Sequence, residues 1–174
     1  MESLMIILRV IHILSGIFWV GTNLFNIFFL EPAVKGAGPA GGAVMGKLAS
    51  GKFPLVIAIA SILTVIVGFI MYIIDSKGFQ ASWILSPGPL TLTVGAVAGI
   101  AAAAVGLFVQ RPTLLLMAAL QKQIQQTGGQ PTPEQAAELK KLQARFTNAS
   151  RWALALMVIA VIGMESAREV GSIE

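Results

Sequence analysis

The sequence predicts an all-α, polytopic membrane protein: a four-transmembrane-helix bundle with a cytoplasmic helical hairpin between helices three and four. Two observations predict it. Four nearly charge-free apolar stretches recur, at Leu4–Leu30, Phe53–Ile74, Leu90–Val109 and Trp152–Met164. Only 11% of the 174 residues are charged, against about 25% in a soluble domain. About 20 apolar residues suffice for a helix to cross a hydrocarbon layer of about 30 Å. The stretches are continuous rather than alternating, which selects helices over the strands of a barrel. The predicted spans are about 4–30, 53–74, 90–111 and 146–167, within a single domain 1–174 whose cytoplasmic extension covers about 112–145.

The first span carries a polar face. His12, Ser15, Trp19, Thr22 and Asn26 recur at spacings of three and four, so they share one side of a helix, expected to face the bundle interior. Ser15, Thr22, Asn23 and Asn26 are expected to bond to neighbouring helices. No basic n-region and no small-residue cleavage site accompany this stretch, so it reads as a membrane helix and not a leader. Glu31-Pro32 is expected to end it. The glycine-rich segment Lys35–Lys52 then reads as a loop with a short helix around 43–49. It lacks the spacing and the Lys-Ser/Thr pair of a phosphate-binding loop.

Between the second and third spans, Phe79, Trp83 and Ile84 suit a segment lying at the membrane interface. The third span is rich in small residues, and Gly95-x-x-x-Gly99 is a close-packing pattern, within one bundle or between two copies. Beyond Arg111 the pattern turns amphipathic, with Leu116, Leu120 and Ile124 expected to face a stripe of Leu139, Leu142 and Phe146. Thr127-Gly128-Gly129-Gln130-Pro131 breaks the two arms. Thr132-Pro133-Glu134-Gln135 carries a helix start: a threonine cap, a proline in the first turn and a glutamine three residues on.

Charge placement sets the orientation. Nine of the 12 basic residues fall in the first and third loops, while Arg9, Lys77 and Arg168 fall on the other side. The positive-inside rule puts those two loops in the cytoplasm and both termini outside, in a multi-pass protein of the cell inner (plasma) membrane. The net charge of +4 is therefore a topology signal, and no nucleic-acid partner is expected. The expected partners are the lipid bilayer and a homo-oligomer or larger membrane complex.

Cysteine is absent, which excludes disulfides and thiolate metal sites. No Ser/His/Asp set, deep carboxylate pair, HExxH or nucleotide-binding motif is present, so no catalytic residue is assigned. The one histidine, His12, is the candidate cofactor and metal ligand. Its alternative role is a hydrogen bond within the bundle. Met71, Tyr72 and Met164 fall at a similar predicted depth. His12 with Met71 and Met164 would suit Cu(I), and a methionine or a second chain's histidine would complete haem b.

The run Leu8-Arg9-Val10-Ile11-His12-Ile13-Leu14-Ser15-Gly16-Ile17-Phe18-Trp19-Val20-Gly21, with its apolar tail ending near Pro32, resembles the opening of the CopD-like superfamily, which includes HemJ-type proteins. Val67-Gly68-Phe69 and the stretch 160–168 are fainter echoes. The resemblance implies a four-helix membrane layout and an association with copper handling or haem chemistry, with His12 as the one ligand carried over. CopD domains have more helices and more histidines or methionines, and further polar positions of HemJ-type proteins find no match here. The sequence thus supports an accessory or structural membrane subunit, a CopD-like haem- or copper-binding protein using His12, or a HemJ-like haem-dependent oxidoreductase.

Overall fold

A computed structural model describes residues 2–171; Met1 and residues 172–174 lie outside it. The described residues are 90% helical and contain no strand. The elements are α1 (Glu2–Gly36), α2 (Pro39–Ser50), α3 (Phe53–Asp75), α4 (Ala81–Ile84), α5 (Pro87–Gln126) and α6 (Pro133–Gly171). Three of them, α1, α3 and α5, are long and apolar enough to cross a membrane.

Helix α1 does not end at Glu31-Pro32. A π turn over Asn26–Leu30 precedes the proline, and the helix runs on to Gly36. Proline lacks an N–H and crowds the preceding turn. The wider turn places Pro32 among the first residues of a new α segment, where its missing donor costs nothing. Arg111-Pro112 repeats the device in α5, after a π turn over Gly106–Gln110. The glycine-rich stretch after α1 is mostly helix, as α2.

Helices α1 and α3 pack antiparallel, as do α5 and α6. The α5–α6 seam is closest where neither helix has side chains. A Cβ on Gly95 would stand 3.0 Å from the Ala160 carbonyl oxygen and the Met164 nitrogen; one on Gly163 would stand 2.9 Å from Gly95 Cα. One on Gly88 would meet the Ala167 carbonyl oxygen at 2.7 Å. The Gly95–Gly99 face is therefore filled by α6 of the same chain, which removes it as a face between copies. Trp19 joins the two pairs: it is buried among Ala60 of α3, Ala102 and Ala103 of α5, and Ala153 and Met157 of α6. Its indole fills the space that the alanines leave.

The start of α6 is a reciprocal capping box. The Thr132 N–H donates to Gln135 Oε1 at 3.0 Å, and the Gln135 N–H donates to Thr132 Oγ1 at 3.3 Å. Across the turn, Ile124 and Leu142 are buried. Leu116 is 53% exposed, contrary to the stripe expected on α5, and Leu114 faces inward instead. The π turn just upstream rotates the face that α5 presents.

Candidate functional site

Polar side chains gather at two levels. The first is the α1–α3 contact. The His12 Nδ1–H donates to the Thr64 carbonyl oxygen at 2.8 Å, since a carbonyl can only accept. In the neutral imidazole the lone pair then sits on Nε2. The Thr64 hydroxyl donates to Ser15 Oγ at 2.8 Å and has the Ala60 carbonyl at the same distance. Ser15 in turn donates to the Ile11 carbonyl at 2.7 Å. The ring lies against Gly68, where a Cβ would stand 2.7 Å from His12 Cε1. Only glycine admits the imidazole there.

The remaining residues of the predicted face divide. Trp19 is 4% exposed and Asn23 6%. Asn23 Nδ2 donates to the Trp19 carbonyl, and Thr22 Oγ1 to the Phe18 carbonyl. Both bonds stay inside α1, so Ser15 alone of the four polar residues bonds to another helix. Asn26 Oδ1 is buried without a hydrogen-bond partner among the described residues.

Tyr72, Met71 and Met164 have other surroundings. The Tyr72 hydroxyl and Thr93 Oγ1 are 2.6 Å apart, and the ring meets Trp83 edge-on at 5.5 Å between centroids. Met164 Cε lies 3.8 Å from a Cβ position on Gly99, in the α5–α6 seam. Met71 is half-buried one turn beyond Gly68 on α3. The contacts of His12 thus come from α1 and α3, and those of Met164 from α5. No group of three or more His, Asp or Glu side chains spaced for a metal ion occurs among the described residues.

The second level is a cavity of about 380 Å³ at the other end of the bundle. Asn26, Ile27, Leu30 and Glu31 of α1 line it, with Met45 of α2, Leu114 and Met117 of α5, and Phe146, Thr147 and Ser150 of α6. Glu31 Oε1 accepts from Lys35 Nζ and from Thr147 Oγ1, each at 2.7 Å. Gln110, the last residue of the second π turn, donates to Ser150 Oγ at 3.1 Å. The first π turn gives the cavity part of its polar side. The Glu31 N–H donates to the Asn26 carbonyl, five residues back, and stacks the two residues on one face. In an unbroken α-helix that spacing would turn them well apart.

The sequence held part of the signal for this site. Glu31, Pro32 and Asn26 each stood out, but as a helix end and a packing residue. The π turn that joins them has no reliable sequence mark. No protein-family model, curated protein or solved structure matches the chain. The fold and site therefore define a class by themselves: an all-helical protein with three helices able to cross a membrane, and a polar-floored cavity at one end of its bundle.

Proposed function

We propose that this chain is a small integral membrane protein that works by binding, as an accessory or structural subunit of a membrane assembly. One observation carries the reading. The polar side chains tie its own helices together (His12 to Thr64, Tyr72 to Thr93, Gln110 to Ser150, Glu31 to Thr147), while large apolar side chains cover its outside. Leu14, Ile17, Phe28, Phe29 and Phe108 are all at least 60% exposed. Such faces suit lipid or another subunit's helices. In this reading α6 supplies a fourth span around 146–167, residues 112–145 form the cytoplasmic hairpin, and both termini lie outside the inner membrane.

Two experiments test it. The absence of cysteine allows single cysteines to report topology. Gly78→Cys is expected to react with a membrane-impermeant maleimide from outside, and Gly129→Cys only after permeabilisation. The reverse pattern overturns the orientation. Native electrophoresis in mild detergent is expected to show the 18.3 kDa chain in a larger band containing a different polypeptide. A monomer alone overturns the subunit role.

A second reading has its own observation: the Thr64 carbonyl holds the Nδ1–H of His12, leaving Nε2 as the ligating atom. Metal-bound histidines are oriented by such a bond. In that CopD-like reading His12 holds haem b or copper, and a methionine or another chain completes the site. The bound group would supply the electron-transfer chemistry of a HemJ-like oxidoreductase. The absorption spectrum and elemental analysis of the purified protein decide it. A Soret band or stoichiometric copper lost in His12→Ala supports ligation; a colourless, metal-free protein unchanged by the substitution overturns it.

A further inference from the structure

We infer that the groove between α2, α3 and α5 is a binding site for one anionic phospholipid, its phosphate held by Arg111 and Lys122 and an acyl chain laid along α3. The inference rests on the membrane placement proposed above and needs neither His12 nor a partner subunit. A groove of about 330 Å³ opens where the end of α2 and the first turn of α3 meet α5. Arg111, Leu115, Ala118 and Lys122 follow one another at spacings of four, three and four, so α5 presents them on one side. Neither cation has an ion-pair partner among the described residues, and no carboxylate lines the groove. The one hydroxyl on the wall, that of Ser50, is spent on the Gly46 carbonyl at 2.9 Å. Arg111 and Lys122 are therefore the side chains left to donate, and their unbalanced charge attracts an anion. A guanidinium grips a phosphate with parallel N–H donors, and an ammonium adds a point charge.

Apolar surface then decides what carries the phosphate. Leu55 and Leu115 line the groove and are exposed. From Leu55 an exposed stripe continues along α3 through Ile59, Ile62 and Ile66, again at spacings of four, three and four. That helix is apolar enough to cross a membrane, and Arg111 falls two residues beyond the apolar run Leu90–Val109. The groove thus stands where a bilayer's headgroups meet its chains, on the cytoplasmic side in the proposed placement. A soluble anion would satisfy the cations and leave the stripe bare. A zwitterionic lipid would cover the stripe but bring a cation of its own toward Arg111 and Lys122. An anionic phospholipid meets both features.

The test titrates the full chain in a neutral detergent with phosphatidylglycerol or phosphatidylcholine of the same acyl chains, and counts bound lipid by native mass spectrometry. One phosphatidylglycerol is expected to bind about tenfold more tightly than phosphatidylcholine. Arg111→Gln combined with Lys122→Gln should remove that preference without lowering the melting temperature, since neither side chain has an ion pair to lose. Lys140→Gln combined with Lys141→Gln takes the same charge from α6, outside the groove, and should leave the preference intact. Ala119→Phe keeps both cations but fills the groove, and should weaken phosphatidylglycerol binding about tenfold. Soluble glycerol phosphate is expected not to compete. Equal binding of the two lipids, an equal loss in the Lys140/Lys141 variant or full binding in Ala119→Phe overturns the inference. So does competition by glycerol phosphate, which would make a free anion the occupant. Alkaline carbonate extraction of membranes reads the placement separately. A chain that stays in the membrane pellet while the two lipids bind equally sinks the lipid site alone; a chain released to the supernatant sinks the membrane reading.

Discussion

Helices α5 and α6 run the length of the bundle together, yet they meet in opposite ways at its two ends. Around Gly88, Gly95 and Gly163 their backbones touch, with no side chain between them. Around Leu114, Phe146 and Ser150 they stand with α1 and α2 about a cavity. The seam is built from what glycine omits. The cavity takes one wall from the π turn of α1. Closely approaching backbones exchange dispersion contacts over a long interface and leave no room for a ligand. Large side chains on displaced turns cannot close every gap, and one polar atom nearby, Asn26 Oδ1, is buried without a partner among the described residues.

The comparison can be broken at either end. The largest effect is expected in the seam. Gly163→Val puts a branched side chain where even a Cβ would lie 2.9 Å from Gly95 Cα. Both neighbours there are backbone, so the helices must part, at a cost of about 3 kcal/mol. Thermal unfolding in detergent checks it, and a melting temperature equal to the wild type's would show that the seam is not under close packing. Next is Gly68→Ala in the α1–α3 contact, where the new methyl would displace the imidazole. A loss of about 2 kcal/mol is expected. The ring NMR signals of His12 should shift with it, because the bond to Thr64 is lost.

The cavity end should be more tolerant. Thr147→Val removes a hydroxyl that bonds the Glu31 carboxylate at 2.7 Å, and is expected to cost about 1.5 kcal/mol, read from the same melts. Smallest is Thr132→Ala at the start of α6, at about 1 kcal/mol for a lost cap. That site has a pH signature. The amide at the helix start and the Thr132 hydroxyl hold the Glu134 carboxyl below its usual range. A depressed folded-state pKa contributes stability that is present above the unfolded value and fades as pH falls through the folded one. Acid titration should therefore narrow the gap between wild type and Thr132→Ala at low pH, leaving the part that belongs to the Gln135 N–H bond, and parallel curves would remove Glu134 from the cap.

How far the sequence could be read follows from the range of the forces involved. The capping box at Thr132 was legible because it is local: four consecutive residues contain both donors and both acceptors. Gly95-x-x-x-Gly99 announced a close approach, but two partners would have satisfied it, and only the fold shows α6 in that place. On α1, helical spacing picked out the side that holds His12, Ser15 and Trp19. It missed that Asn23 and Thr22 bond back to their own helix, since that choice depends on whether a neighbour offers a carbonyl. Glu31-Pro32 misled because proline normally interrupts a helix, and a π turn is the less common escape.

By itself, the sequence determined the helical class, three of the four spans it predicted as helices long and apolar enough to cross a membrane, and the start of α6, because hydrophobic runs and local hydrogen bonds act within one segment. The tertiary structure alone decided which chain fills the glycine face, that Nδ1 of His12 is spent on Thr64, and that Asn26 and Glu31 share a cavity wall. Each of these depends on a partner many residues away or on a single turn's winding. Neither leaves a periodic mark in the chain.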